Sequence, residues 1–128
     1  NNIKNGASWT DEEGREVPNS RLTAPADPPR SYAYCSDTCY LPDLAARVSG
    51  VTCLYHESTY ATPDIEKAQK YFHTTAAQAA QVARDAQVGR LLLGHYSSKY
   101  DNEDVLLEEA RQVFEASELS NEGMVVTL

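Results

Sequence analysis

Four short polar segments, each placed just after an apolar run, constrain this chain more than any other feature. They comprise residues 34–38, 56–59, 73–75 and 94–100. Three of the four lie where a β-strand should end, and open α/β folds place their ligand sites along the edge where parallel strands end. All three histidines, His56, His73 and His95, fall within these segments. The pattern predicts an α/β fold whose chemistry is collected along one edge of a sheet.

From residue 31 onward the sequence alternates between strand patterns and helix patterns. Strands are predicted over residues 32–36, 51–56 and 90–94, with a last edge strand over 124–128, and helices over 41–48, 64–72, 75–86 and 103–114. Thr75 and Gln78 have the spacing of a capping box, which predicts that a helix begins at Thr75. Alternating strands and helices imply a mainly parallel sheet flanked by helices. The second face of this sheet is expected to need a partner.

The first thirty residues have a different character. They are polar and are interrupted by Gly6, Gly14 and four prolines, which favours an extended, turn-rich segment with a short hairpin over residues 9–17. We therefore predict two parts: a leading segment, residues 1–30, and a βα unit, residues 31–128.

Charge limits the partners that the chain can bind by itself. The 128 residues carry a net charge of −8, and the sequence pI is near 4.7. Binding to nucleic acid needs clustered lysine and arginine, so this composition argues against a stand-alone nucleic-acid binder. No window approaches the roughly 20 apolar residues of a membrane span, so no membrane association is expected.

The cysteines do not form an obvious framework. Their number, three, is odd and fits a reducing cytosol, so we expect a cytoplasmic protein. Cys35, Cys39, Cys53 and His56 could be combined into a zinc site, but Cys53 and His56 lie three apart on a predicted strand and would point to opposite faces. We interpret the cysteines as small buried hydrophobic residues.

In order and spacing, the four segments resemble the C-terminal half of the ribonuclease Z family, the tRNA 3′-processing endonucleases of the metallo-β-lactamase superfamily. That family has a G-D-T loop, an H-E-A-T segment, an H-S-T segment before an alanine-rich helix, and T-H-F-S-x-R-Y. The matching sequences here are S-D-T, H-E-S-T, H-T-T and G-H-Y-S-S-K-Y. The resemblance runs from about residue 3 to residue 128. It implies the C-terminal half of an αββα sandwich.

The resemblance assigns roles to individual residues. Asp37 matches the aspartate that bridges two zinc ions, and His95 matches the final zinc-ligand histidine. Glu57 and His73 match the general-acid pair, in which the carboxylate orients an imidazolium that protonates the leaving ribose oxygen. His56 begins the H-E-A-T segment, but on a regular strand it faces away from Glu57, so we interpret it as structural.

The segment after His95 contains the remaining matched residues. Ser97, Lys99 and Tyr100 correspond to S-x-R-Y and would bind phosphate or fix the loop that carries His95. Lys99 stands where the family has arginine, so the charge is kept but the bidentate fork is lost.

The superfamily motif H-x-H-x-D-H does not occur in these 128 residues. We therefore expect the chain to be the C-terminal half of a larger site, beginning just past the tRNA-binding arm and inactive alone. Two zinc ions per full-length subunit would be shared with the N-terminal half, and the full-length protein would be a homodimer. The resemblance implies hydrolysis of precursor tRNA 3′ to the discriminator base. The alternatives are another hydrolase of the fold, a phosphodiesterase or an arylsulfatase, and a non-catalytic binding module.

Overall fold

The structure is a computed structural model that describes residues 2–128. The strands are β1 (Trp9–Thr10), β2 (Glu16–Val17), β3 (Tyr32–Cys35), β4 (Cys53–Glu57), β5 (Arg90–Gly94) and β6 (Ser117–Leu119). The α-helices are α1 (Asn19–Leu22), α2 (Leu44–Arg47), α3 (Ile65–Tyr71), α4 (Ala76–Asp85) and α5 (Asp104–Val113), with 3-10 turns at Asn2–Asn5 and Thr62–Asp64. The predicted hairpin and the alternation after residue 31 are both present.

The main sheet contains four parallel strands in the order β3-β4-β5-β6, and β1 pairs with β2 in a separate antiparallel hairpin. Cys35 lies opposite His56, and Glu57 lies opposite Gly94. Cys35, Glu57 and Gly94 end β3, β4 and β5 at the same edge of the sheet. The polar segments that follow β3, β4 and β5 therefore start side by side.

One face of the sheet packs against helices. Leu54, Leu91 and Leu93 are fully buried there, together with Leu106 of α5 and the alanine-rich face of α4. Burying a leucine side chain stabilises a fold by about 1.5–3 kcal/mol. The small side chains of α4 let its backbone approach the strands closely.

Helix α4 begins where the capping-box spacing predicts. The Thr75 hydroxyl accepts a hydrogen bond from the Gln78 backbone N–H at 3.2 Å, and the Gln78 amide oxygen accepts one from the Thr75 N–H at 3.1 Å. This cap fixes the direction in which the segment containing His73 enters the helix.

The second sheet face is aromatic and partly open. The Tyr34 and Tyr55 rings stack with centroids 4.6 Å apart, and Tyr32 and Tyr34 remain exposed. The predicted edge strand over residues 124–128 is wrong, because Ser117–Leu119 pairs with β5 instead. Residues 124–128 form no strand. Met124, Val126 and Leu128 instead line a cavity with Tyr32 and Leu92 of this second face.

Among the described residues 2–128, no helix is both long enough and apolar enough to cross a membrane.

The packing of Tyr55 gives a testable prediction at Gly94. A Cβ atom at Gly94 would lie 2.5 Å from the Tyr55 ring carbon Cζ, which is far inside van der Waals contact. We expect Gly94→Ala to lower the free energy of unfolding by about 1–3 kcal/mol, because the ring must move. In a Tyr55→Ala background the same substitution should cost little. Urea unfolding of the four proteins of this double-mutant cycle measures the difference, and equal costs in both backgrounds would contradict the packing argument.

Candidate functional site

Asp37 lies in the loop that follows β3. Its φ angle is +48°, which is left-handed, and its side chain is 73% exposed. Aspartate tolerates this conformation better than most residues. Ser36, which stands where the ribonuclease Z family has glycine, does not take a positive φ. The serine is therefore accommodated without left-handed strain.

His95 directly follows β5 and is also left-handed, with φ +58°. Two backbone hydrogen bonds hold the surrounding loop. The Ser58 N–H donates to the Gly94 carbonyl at 2.8 Å, and the Ser97 N–H donates to the Thr59 carbonyl at 3.1 Å. Left-handed non-glycine residues cost of order 1–3 kcal/mol each and are concentrated at functional sites. Asp37 and His95 both fit that description.

The sheet edge brings Asp37, His73 and His95 together. The Nε2 atom of His95 lies 3.1 Å from Oδ1 of Asp37, and one candidate ligand atom from each of the three residues lies within 4.8 Å of the others. A carboxylate oxygen and a ring nitrogen attract at this distance only when a proton or a cation lies between them. Imidazole nitrogen and carboxylate oxygen are ordinary zinc ligands. The donors present therefore fit a divalent metal ion.

Glu57 lies directly behind this cluster and is fully buried. Its Oε1 accepts hydrogen bonds from the Thr38 N–H at 2.8 Å and from Nδ1 of His73 at 2.9 Å. Its Oε2 accepts hydrogen bonds from the Thr59 hydroxyl at 2.6 Å and from the Thr74 N–H at 3.0 Å. One carboxylate thus connects the segments after β3, after β4 and before α4.

These hydrogen bonds determine the charge of the carboxylate. Burial by itself raises the pKa of the Glu57 carboxyl, but the bonds from Thr59, Thr74, His73 and Thr38 outweigh burial and hold this pKa below its usual value of 4.5. Glu57 is therefore ionised at neutral pH and can hold an imidazole N–H.

The lowered pKa predicts how stability depends on pH. As pH falls through about 4.5, the unfolded carboxyl takes up a proton while the folded one stays ionised, so stability should fall with pH down to the folded pKa. Glu57→Gln should lower the free energy of unfolding at neutral pH by about 1–3 kcal/mol. It should also flatten the acid slope. Urea unfolding from about pH 7 to about pH 3 tests this, and parallel slopes for the two proteins would contradict it.

His73 is placed by the end of one helix and the start of the next. Phe72 caps α3 in the left-handed conformation, with φ +60°, and the His73 N–H donates to the Ala68 carbonyl at 2.8 Å. The chain then enters the Thr75 cap of α4. The structure thus brings the sequence-predicted pair Glu57 and His73 into contact, next to Asp37 and His95.

The loop after His95 is held by carboxylate contacts. Lys99 pairs with the carboxylate of Asp64. The Tyr100 hydroxyl donates to Oδ2 of Asp64 at 2.9 Å and accepts from the Ala61 N–H at 2.7 Å. With its ammonium paired in this way, Lys99 serves to fix the loop in the conformation described. Ser97 contributes through its N–H to the Thr59 carbonyl.

His56 lies on the opposite side of β4 from Glu57. It is fully buried, and its Nδ1 donates to the Glu57 carbonyl at 2.8 Å. Burial lowers the pKa of His56, which the bond to this carbonyl only partly opposes, so the ring stays neutral. Among residues 2–128, His56 is not one of the side chains grouped closely enough to share a metal ion.

Cys35, Cys39 and Cys53 are free thiols. Within residues 2–128, the side chains grouped closely enough to share a metal ion are Asp37, His73 and His95, and this group contains no cysteine.

Sequence reasoning missed three threonines of the site. Thr38 and Thr74 bind Glu57 through their backbone N–H groups, and the Thr74 hydroxyl donates to the Thr38 carbonyl at 2.6 Å. Thr59 contacts both Glu57 and His95. All three lie inside the polar segments, and Thr38 and Thr59 match the final threonines of the G-D-T and H-E-A-T motifs. That match was the available signal, although it does not say what the threonines contact.

These observations define the class of protein: an α/β chain whose parallel sheet carries a candidate metal centre of carboxylate and imidazole at the edge where its strands end. Comparison with known families is consistent with this description. The family described as beta-lactamase superfamily domain matches residues 6–96, and the chain belongs to that family.

Two solved structures confirm the fold. The metallo-beta-lactamase fold protein YhfI from Bacillus subtilis superposes with a TM-score of 0.65 at 23% identity, over 71% of this chain and 37% of that protein. Human tRNase Z, short form, superposes with a TM-score of 0.55 at 24% identity, over 70% of this chain and 30% of that protein. The predicted parallel α/β sheet of the metallo-β-lactamase fold is therefore correct.

A curated relative matches along the whole chain. Ribonuclease Z of Bacteroides fragilis is 46% identical over 128 residues, which is 100% of this chain and 42% of the relative. The resemblance to ribonuclease Z that the motifs indicate is thereby confirmed. The chain spans about two-fifths of the length of this curated relative.

Proposed function

We propose that this chain is part of a zinc-dependent endoribonuclease that hydrolyses precursor tRNA on the 3′ side of the discriminator base and leaves a 3′-hydroxyl. The observation that carries the proposal is the buried Glu57 carboxylate bound to His73, 2.9 Å from its Nδ1, directly beside Asp37 and His95. A metal centre alone is common to many hydrolases. A metal centre with an adjacent proton donor suits a reaction whose leaving group needs a proton.

Asp37 and His95 are the proposed zinc ligands within this chain. They are too few for two zinc ions, since each ion takes about four ligands. The remaining ligands would come from a part of the protein outside these 128 residues, which would share two ions per subunit. When bound, zinc supplies positive charge that stabilises the phosphate and favours attack by water.

His73 would supply the proton. Its Nδ1–H donates to Oε1 of Glu57. The other ring nitrogen, Nε2, takes no part in this bond and would be the atom that carries the transferred proton. The buried carboxylate accepts the Nδ1–H and thereby fixes the orientation of the ring. Nε2–H of the imidazolium would then donate to the ribose 3′-oxygen as the phosphodiester bond breaks. After transfer the ring is neutral, and its Nδ1–H still binds Glu57.

Most contacts to the RNA backbone would come from outside this chain. The net charge of −8 and the pairing of Lys99 with Asp64 leave little positive charge near the site. We propose that the leading segment, residues 1–30, and the βα unit, residues 31–128, belong to a full-length homodimer that works in the cytoplasm. The 128 residues alone should be inactive.

A substrate panel tests the proposed class. The full-length protein should cleave a precursor tRNA with a kcat/KM well above that for a chromogenic phosphodiester, and should not hydrolyse an aryl sulfate. Preference for the small phosphodiester or for the sulfate would assign the chain to one of the other hydrolases of the fold. No turnover of any substrate, with zinc bound, would favour a binding module.

A further inference from the structure

The Thr59 hydroxyl links the buried carboxylate to the candidate metal ligand. Its Oγ1 lies 2.6 Å from Oε2 of Glu57 and 2.8 Å from Nδ1 of His95. The side chain is almost completely buried, with 5% of the residue exposed. The contact with Glu57 is therefore buried, whereas the contact with His95, whose side chain is 38% exposed, is only part-buried.

The direction of each hydrogen bond follows from counting protons. Threonine has one hydroxyl proton, and an ionised carboxylate has none to give. Glu57 is surrounded by donors, and the 2.6 Å distance is that of a hydroxyl donating to a charged carboxylate. Thr59 therefore gives its proton to Glu57. Towards His95 it can only accept, so the proton in that bond must sit on Nδ1 of His95.

The backbone holds Thr59 in this position. The Thr59 carbonyl accepts the Ser97 N–H at 3.1 Å, two residues after His95. The preceding Ser58 N–H donates to the Gly94 carbonyl at 2.8 Å, one residue before His95. The threonine and the histidine are thus fixed relative to each other from both sides.

We propose that Thr59 is a positioning residue that selects the Nδ1–H tautomer of His95, so that Nε2 is left unprotonated and can bind a metal ion together with Asp37, whose Oδ1 lies 3.1 Å away. Hydrogen bonding at one ring nitrogen commonly determines which nitrogen binds the metal. In this chain the Glu57 carboxylate does not contact His95 itself but orients it through the Thr59 hydroxyl. The same carboxylate orients His73 by a direct hydrogen bond. The metal-binding part of this proposal rests on the proposed function, whereas the tautomer part does not.

Nitrogen-15 NMR of the metal-free chain tests the tautomer. The chain has three histidines, so the ring signals can be assigned by substitution. The measurement is made in an Asp37→Ala background, because the Asp37 carboxylate, 3.1 Å from Nε2 of His95, competes for the ring proton when no metal ion is bound. At about pH 8, above the usual imidazole titration range, His95 should carry its proton on Nδ1 in Asp37→Ala and in the double variant with Thr59→Ser. In the double variant with Thr59→Val the proton should move to Nε2. An Nε2–H tautomer in Asp37→Ala with Thr59 intact would overturn the proposal.

Zn²⁺ titration of the full-length protein, which supplies the remaining ligands, provides a second readout. Thr59→Val should weaken zinc binding by roughly 10- to 100-fold, the usual effect of losing an outer partner of a ligand histidine, while Thr59→Ser should stay close to the wild type. Thr62→Val is the matched control. It also removes a threonine hydroxyl bonded to a carboxylate, that of Glu109 at 3.0 Å, but away from His95, and it should change neither readout.

Equal zinc affinity in Thr59→Val and Thr59→Ser would contradict a role for the hydroxyl. If Thr59→Val does not fold, the tautomer of His95 in Asp37→Ala with Thr59 intact still decides. No RNA is used in either experiment. A failure of the tautomer measurement is therefore distinguishable from a failure to cleave precursor tRNA.

Discussion

His73→Ala is expected to lower kcat for precursor tRNA by roughly 10²- to 10⁴-fold, the usual contribution of a general acid, while the zinc content of the full-length enzyme stays the same. The physical reason is that His73 uses Nδ1 to bind Glu57 and would use Nε2 to protonate the leaving oxygen. Steady-state kinetics and elemental analysis on the same preparation measure both effects. Glu57→Gln should have a similar but milder effect, because the imidazole remains and loses only its orientation and charge support.

A substrate with a better leaving group distinguishes the roles further. A departing group that needs no proton makes the acid unnecessary, so an activated phosphodiester should restore turnover to His73→Ala. One candidate ligand atom of His73 lies close to those of Asp37 and His95, so a ligand role is the competing interpretation. Loss of zinc from His73→Ala, or no rescue by the activated substrate, would show that His73 is not the acid.

His95→Ala is expected to lose metal and activity together. The substitution removes a ligand rather than one of its supporting contacts, so zinc affinity should fall by more than roughly 100-fold, the upper end of the effect of losing an outer partner. The activated phosphodiester should not rescue this variant. Zinc titration of the His95→Ala and His73→Ala proteins in parallel checks the contrast. Retention of zinc by His95→Ala would remove His95 from the metal site.

Local patterns predicted much of the fold because they have local causes. The capping box at Thr75 depends on four consecutive residues, and the structure contains it with both hydrogen bonds. The strands β3, β4 and β5 are apolar runs that end in polar segments. Their common edge follows from the rule that parallel strands in α/β units end on the same side of the sheet.

The predicted last strand, residues 124–128, is wrong because the place of a segment in the sheet can outweigh its intrinsic preference for strand. Residues 124–128 contain Met, two Val, Thr and Leu and favour a strand by composition. Ser117–Leu119 is short and less apolar, but it follows directly after α5. It pairs with β5 and so occupies the edge position of the sheet. Residues 124–128 come later in the chain, when that edge position is already occupied by β6, and Met124, Val126 and Leu128 line a cavity with the second face.

The charged and imidazole residues of the site could be predicted from the sequence, because carboxylates and histidines just after predicted strands are recognisable by residue type. Glu57 and His73, sixteen residues apart, are in contact, and Asp37 and His95 are adjacent across the sheet edge. Thr59 stands in the H-E-S-T segment, but its contact with His95 could not be predicted, because it depends on a distance of 2.8 Å to a histidine thirty-six residues away. Only the parallel register of β4 and β5 creates that proximity. The left-handed backbone of Asp37 and His95 likewise has no sequence signature.

Mapping the cut in a precursor tRNA tests the central claim most directly. A precursor with a 3′ trailer is incubated with the zinc-loaded full-length enzyme, and both new ends are identified. We predict a single cut 3′ to the discriminator base, with a 3′-hydroxyl on the tRNA and a 5′-phosphate on the trailer, because water attacks the phosphate and the ribose oxygen leaves with a proton from His73. A tRNA product that ends in a 3′-phosphate or a cyclic phosphate, or an intact precursor, would contradict the account.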